Sequence, residues 1–169
     1  LDEAGRQLNS SLALLEDLLL NEPDSMGARQ RKAAVHTQLA KLCRLNQDTE
    51  CASTNIESAL IELLALTTAN PDNARVLRHQ AYSRLEAAWQ AAQRGEQDLA
   101  LQLAEDSRKT IGQLTAHASF DIDLRKLEVL ALLTLGDLAD QSGFDESAIS
   151  SWEAAWKEFN QYFETSNDP

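Results

Sequence analysis

The chain has 169 residues, of which 43% are hydrophobic and 25% are charged, a composition typical of a single soluble globular domain. Its formal charge of −12 and its lack of large Lys and Arg clusters argue against nucleic acid or an anionic membrane as a partner, because phosphate binding needs concentrated positive charge. No apolar run reaches the ~18 residues of a membrane span, so we expect no direct membrane insertion by this segment. Gly and Pro are sparse and runs of alternating β-branched residues are missing, which predicts an all-α protein.

The N-terminal segment, residues 3–20, predicts one amphipathic helix. Apolar and small side chains recur there at helical spacing, at Ala4, Leu8, Ser11, Leu12, Leu15 and Leu18. Because helix pairs follow it, we interpret this helix as the second half of a repeat whose first helix is missing. Its open flank fits either a subunit interface or the edge of a fragment, since a stacked repeat cannot bury its face alone. The sequence begins at Leu1 rather than Met, so we expect a fragment or a processed form.

Residues 28–68 predict the first complete helix pair, with helices over about 28–45 and 51–68 joined by a short polar turn. The inner face of the first helix carries Ala33, His36, Leu39, Ala40 and Cys43, and that of the second carries Ala52, Ile56, Ala59, Leu63 and Leu66. The sequence Asn-Pro-Asp-Asn at 70–73 is a turn that ends this pair and starts the next helix.

The two cysteines of the chain, Cys43 and Cys51, flank the turn of this pair. At the ends of two antiparallel helices, their Cα atoms can approach within the roughly 4.4–6.8 Å that a disulfide requires. A disulfide would imply an oxidising, extracytoplasmic compartment such as a periplasm, whereas two reduced core thiols would fit the cytoplasm, and both states stay open here. His36 shares a face with Cys43, but a structural zinc site needs four ligands, so we expect no metal.

Two further helix pairs follow. Residues 74–116 predict helices over about 74–94 and 98–116 with a turn at Gly95, and residues 121–163 predict the third pair. Within the third pair, small and apolar residues lie at Leu132, Leu135, Gly136, Ala139, Ala148, Trp152 and Ala155, with Gly143 in the turn. This pattern resembles the helix-turn-helix unit of the tetratricopeptide repeat (TPR) family.

Similar residue types recur along the chain at a period of 48 residues. Ala148 corresponds to Ala100 and Ala52, Gly136 to Ala88 and Ala40, Ala155 to Ser107 and Ala59, Phe159 to Ile111, Leu63 and Leu15, and Pro71 to Pro23. These positions predict one domain over residues 1–169, built as three helix pairs behind a leading half repeat, or about seven antiparallel helices. The period is longer than the roughly 34 residues of the standard TPR.

The whole chain resembles a TPR-like α-solenoid. Residues 64–74, LALTTANPDNA, are also similar to the longer TPR-like repeats appended to bacterial eukaryotic-like serine/threonine kinases and signalling regulators. The resemblance implies a non-catalytic interaction or sensing scaffold that binds a protein or peptide and belongs to a larger bacterial signalling protein. The alternative is homo-oligomerisation through the open N-terminal helix. Ala139 stands where the family has Tyr, so the family's groove residues are not transferred by position.

In a solenoid of this kind, the first helix of each pair lines the concave face. The side chains beside the packed positions form the candidate partner-binding groove: Thr37, Lys41 and Arg44, then Tyr82, Leu85 and Trp89, then Leu133, Asp137 and Asp140. Tyr82 and Trp89 are the strongest candidates because aromatic side chains dominate interface energetics. The alternative is that Trp89 packs as core. No catalytic or phosphate-binding motif is present, so we expect neither an enzyme nor a cofactor site.

Overall fold

The computed structural model describes residues 2–117 and 121–166, with side chains over 3–117 and 121–161. Within these ranges the chain forms seven α-helices and no strand: α1 (Asp2–Asn21), α2 (Met26–Leu45), α3 (Thr49–Ala69), α4 (Ala74–Gln93), α5 (Gln97–His117), α6 (Ile122–Gln141) and α7 (Asp145–Ser166). The all-α helical-repeat fold that the sequence predicts is therefore confirmed. Residues 1, 118–120 and 167–169 of the predicted domain lie outside the described part of the chain.

A period of 48 residues relates the helices and their turns. The first helices of the pairs, α2, α4 and α6, begin at residues 26, 74 and 122, and the second helices, α3, α5 and α7, begin at 49, 97 and 145. The backbone adopts a positive φ at the equivalent turn positions Gln47 (62°), Gly95 (78°) and Gly143 (76°). One residue later, the backbone amide donates to the carbonyl five residues before it in every turn, which satisfies carbonyls at the end of each first helix.

Equivalent residues also begin the first helices. The side chain of Asn73 accepts hydrogen bonds from the amides of Arg75 and Val76, and that of Asp121 accepts from Asp123 and Leu124. Each such cap satisfies amides that have no partner within the helix and stabilises it by about 1 kcal/mol. Ser25 stands at the equivalent position before α2 without a side-chain cap bond.

The helices stack in chain order, each beside the next. In addition, α2 contacts α4 and α4 contacts α6, so the first helices of the three pairs line one common face. Among the described helices, α1 contacts α2 alone. Within the described residues, the helices at the two ends of the stack, α1 and α7, each contact one neighbouring helix.

Small residues let the paired helices approach closely. The repeated positions Ala40 and Ala88, Ala52, Ala100 and Ala148, and Ala59, Ser107 and Ala155 are all buried, as is Gly136. Leu63 and Ile111 are fully buried as well, but the equivalent Phe159 is 40% exposed. The difference has a physical reason: α3 and α5 are each covered by the helix that follows, whereas no described helix follows α7.

Candidate partner-binding site

Two hollows that share Tyr82 lie on the face lined by α2, α4 and α6. The smaller, of about 130 Å³, is lined by Lys41, Arg44, Tyr82, Leu85, Glu86, Trp89, Leu130 and Thr134. The larger, of about 280 Å³, is lined by Ala34, Thr37, Gln38, Arg78, His79, Tyr82, Ser83, Asp123 and Leu127. Both volumes are below the ~300–1,000 Å³ of typical small-molecule sites. Each hollow is therefore better suited to single side chains of a peptide than to a metabolite.

An ion pair between α2 and α4 forms one wall of the smaller hollow. Arg44 donates to both carboxylate oxygens of Glu86, with nitrogen–oxygen distances of 2.6 Å and 3.2 Å. The guanidinium carbon of Arg44 also lies 6.0 Å from the ring centroid of Trp89. Because the Glu86 side chain is only 5% exposed, this two-point contact is protected from solvent and holds α2 and α4 in register.

Tyr82 and Trp89 are each half-buried on α4. Both pack against the largest core cluster and also line the smaller hollow. Trp89 therefore has both of the predicted roles. One part of its side chain packs against the core, and another part lines the groove. A ring that is fixed by the core on one side and open on the other loses little conformational entropy when a partner binds.

The larger hollow has a polar floor, and Arg78, His79 and Asp123 lie among its lining residues. Thr37 and Ser83 are both buried and share a 2.8 Å hydrogen bond between their hydroxyl groups, which ties α2 to α4. Arg78 donates to the Asp121 carboxylate through Nη2, while its Nε atom is buried without a partner in the described part of the chain. Burial lowers the pKa of His79, and the charges of Arg75 and Arg78 lower that pKa further.

The structure brings part of the predicted groove together. Lys41, Arg44, Tyr82, Leu85 and Trp89 surround the smaller hollow, and Thr37 lines the larger one. The three residues predicted on α6, however, line neither hollow: Leu133, Asp137 and Asp140. Asp137 instead accepts a 3.1 Å hydrogen bond from the indole Nε1 of Trp152 on α7.

The α6 residues that do line the smaller hollow are Leu130 and Thr134. They lie 48 residues after Tyr82 and Glu86, so the repeat period itself identifies them once Tyr82 is placed in the groove. Glu86 escaped the sequence analysis because an acidic side chain on a helix is ordinarily solvated. No local pattern shows that Arg44, 42 positions earlier, is its partner.

The two cysteines form a disulfide, with a Cα–Cα distance of 5.7 Å across the α2–α3 turn. The disulfide alternative is therefore the one that the structure supports. His36 bonds the Asn55 side chain through Nδ1 at 2.9 Å, and Asn55 in turn donates to the Cys51 carbonyl. These contacts give His36 a structural partner. Over residues 3–117 and 121–161, whose side chains the structure describes, no group of three or more His, Cys, Asp or Glu side chains is placed to hold a metal ion.

A third hollow, of about 540 Å³, lies between α5, α6 and α7. Two of its charged lining residues, Glu105 and Arg108, bond each other, with Arg108 nitrogens 2.8 Å and 2.9 Å from the Glu105 carboxylate oxygens, and Glu146 is the third charged residue of the lining. None of the nine residues predicted for the groove lines this hollow. Among the described helices, none combines the length and apolar character required to cross a bilayer.

Comparison with known proteins adds no relative to this geometry. No family model, no curated protein and no solved structure matches the chain. The functional interpretation therefore depends on the helical-repeat fold and on the side chains around the two hollows.

Proposed function

We propose that this chain is a non-catalytic protein-interaction module, a TPR-like solenoid within a larger bacterial signalling protein, and that its α2–α4–α6 face binds a peptide segment of the partner. The observation that carries the proposal is the meeting of Lys41, Tyr82 and Trp89 around the smaller hollow. Binding hot spots are enriched in aromatic and positively charged side chains that lie near the centre of an interface.

The rigidity of this face supports the same function. The Arg44–Glu86 ion pair and the Thr37–Ser83 hydrogen bond both cross from α2 to α4 beneath the hollows. A face that is already ordered before binding avoids much of the entropy cost of association. The binding residues thus lie on helices whose relative position is fixed by buried polar contacts.

We also propose an oxidising, extracytoplasmic location, such as a bacterial periplasm, for this module. The supporting observation is the Cys43–Cys51 disulfide. Disulfides persist in such compartments and are rare in the cytosol, where thiols are kept reduced. A signalling protein with this module outside the cytoplasm would use it to sense a partner there.

A pull-down from the cells that produce the protein tests the proposed function. We expect Trp89→Ala and Lys41→Ala to lose a partner that wild type retains, because both side chains line the smaller hollow. Ile61→Ala is the matched control, since Ile61 is an exposed apolar residue on α3, away from the lining of both hollows. If both groove variants retain every partner of wild type, the proposed groove is wrong.

Homo-oligomerisation through α1 is the second candidate. Three leucines of this helix, Leu14 (72%), Leu18 (38%) and Leu20 (83%), are exposed, and α1 packs on α2 alone among the described helices. Light scattering over a wide concentration range tests it. A dimer that Leu14→Glu returns to a monomer would support this candidate, whereas a monomer at every concentration would remove it.

A further inference from the structure

The positive charge of the chain is concentrated on two helices. Eight of its 15 Lys and Arg residues lie on α2 and α4, together with only one of its 27 acidic residues. These helices line the candidate face, next to α6, which carries four acidic residues and two basic ones. On the candidate face itself, Lys41, Arg44 and Arg78 of these helices line the two hollows, and these three side chains form the basic strip of a chain whose formal charge is −12.

Five of the eight basic side chains are already occupied. Arg29, Lys32, Arg44 and Arg78 form ion pairs, and Arg84 donates to the Thr110 hydroxyl. The other three, Arg31, Lys41 and Arg75, have no ion pair or hydrogen bond in the described part of the chain. Lys41 is the most informative of them, because it is half-buried and lines the smaller hollow beside Trp89 and Tyr82.

An unpaired ammonium beside aromatic rings favours a particular ligand chemistry. A carboxylate can pair with Lys41 while an adjacent apolar side chain enters the hollow against Tyr82 and Trp89. A charge-assisted contact of this kind gains strength where solvent is partly excluded. The single acidic residue of the two helices, Glu86, does not compete for Lys41, because it is held by Arg44.

The same charge distribution disfavours an extended polyanion. All but one of the 27 acidic residues lie off α2 and α4, and four of them lie on the neighbouring α6, so a long nucleic acid or an anionic bilayer would meet repulsion beyond the strip. A short anionic segment meets only the strip itself. On these grounds we propose that the α2–α4 face binds a peptide in which Asp or Glu alternates with apolar residues, with one carboxylate on Lys41. This deepens, and depends on, the proposed function.

Fluorescence anisotropy with defined peptides tests the partner chemistry. The probes are labelled, amidated 12-residue peptides that alternate Glu or Asp with Leu or Phe, and matched peptides with Gln or Asn in place of the acids. Single-stranded DNA of 12 nucleotides is a third probe. We expect the acidic peptides to bind at least about tenfold more tightly than the neutral ones, since one charged hydrogen bond is worth that much. Binding should weaken as salt rises, because salt screens the ion pairs.

Matched charge changes locate the contact. Lys41→Glu should weaken binding of the acidic peptides by about tenfold or more, and Lys41→Gln by a smaller factor. Lys157→Glu makes the same change of charge at an exposed, equally unpaired lysine on α7 and should leave the affinity within about twofold, because a distant surface charge is screened. Thermal unfolding confirms that each variant is folded before it is compared.

The possible outcomes separate this inference from the function it depends on. If neutral peptides bind as tightly as acidic ones and Tyr82→Ala abolishes both, the face binds peptides but the acidic preference is wrong. Equal loss of binding in Lys41→Glu and Lys157→Glu, or tighter binding of DNA than of peptide, would also overturn it. Self-association that Lys41→Glu abolishes would assign the face to a second copy instead. If no peptide binds and the pull-down finds no groove-dependent partner, the proposed function itself fails.

Discussion

The first and last helix pairs, α2–α3 and α6–α7, have the same spacing between the starts of their helices but fill equivalent positions with different residues. In the first pair, Ala40 on α2 faces Ile56 on α3. The equivalent residues of the last pair lie 96 positions later, where Gly136 on α6 faces Trp152 on α7. A Cβ atom at Gly136 would lie only 2.3 Å from the indole Nε1 of Trp152. The larger side chain on one helix is therefore matched by a smaller one on the other.

The turns of the two pairs also share one backbone conformation but contain different residues. The position with positive φ is Gly143 in the last turn, where glycine adopts that conformation without strain, but Gln47 in the first. Only the first turn is closed by a disulfide, between Cys43 and Cys51. The repeat therefore preserves its backbone geometry while the residues that stabilise it are exchanged. Each substitution below converts one pair toward another.

The largest expected effect follows from Gly136→Ala. The added methyl would also lie 2.4 Å from Cδ1 of Trp152, so the indole or the helices must move apart. We expect this overpacking to lower the free energy of unfolding by about 3 kcal/mol, measured by urea denaturation. Gly112→Ala is the control: nothing lies within 4 Å of its Cβ position on α5, so it should raise stability slightly through helix propensity.

A double substitution tests whether Trp152 is the cause. Gly136→Ala combined with Trp152→Ile recreates the Ala40 and Ile56 combination of the first pair, and should recover part of the stability that Gly136→Ala loses. Equal losses in the single Gly136→Ala and the double variant would show that the two positions do not compensate each other.

Removal of the disulfide comes next. The double variant Cys43→Ala, Cys51→Ser removes it. These substitutions give the first turn the residues of the last turn, where Ala139 and Ser147 occupy the equivalent positions. We expect a loss of about 2 kcal/mol, since the closed loop is short. Reduction of the wild type should produce the same loss and leave the double variant unchanged. Titration of the unreduced protein should detect no free thiol, and two reactive thiols would contradict the disulfide.

Gln90→Leu should stabilise the middle pair. Gln90 is 3% exposed, and neither its Nε2 nor its Oε1 has a hydrogen-bond partner in the described part of the chain. The equivalent residues of the other pairs are Leu42 and Leu138. We expect a gain of about 1 kcal/mol in thermal denaturation. Gln80→Leu should raise the stability less, because the Gln80 side chain reaches the Thr67 hydroxyl. An equal rise in stability in the two variants would refute the role of the unsatisfied groups.

The smallest expected effect is that of Gln47→Gly. Glycine removes the steric cost of a positive φ but increases the freedom of the unfolded chain, so the net gain should be about 0.5 kcal/mol. The gain should be smaller in the variant without the disulfide, because the unfolded turn is then unconstrained and glycine adds more to its freedom. A loss of stability in both backgrounds would contradict the equivalence of the turns.

The sequence predicted the helices and the repeat because their signals are local. Small residues at Ala52, Ala100 and Ala148, together with Gly in two turns, set the helix spacing and mark the turns that end the first helices. The candidate site was predicted only in part. The burial of Glu86 depends on Arg44 in a different pair, and the exposure of Phe159 depends on the absence of a covering helix among the described ones. Such contacts between distant residues leave no local pattern.

The most direct test of binding at the α2–α4–α6 face uses the indole N–H signals of the three tryptophans in the NMR spectrum of the unmodified protein. Trp89 lines the smaller hollow, Trp152 is packed against Gly136, and Trp156 is exposed on α7. On titration with the acidic peptide or a captured partner, the Trp89 signal should shift while those of Trp152 and Trp156 stay in place. Saturable shifts of Trp156 or Trp152 with Trp89 unmoved would contradict binding at the α2–α4–α6 face.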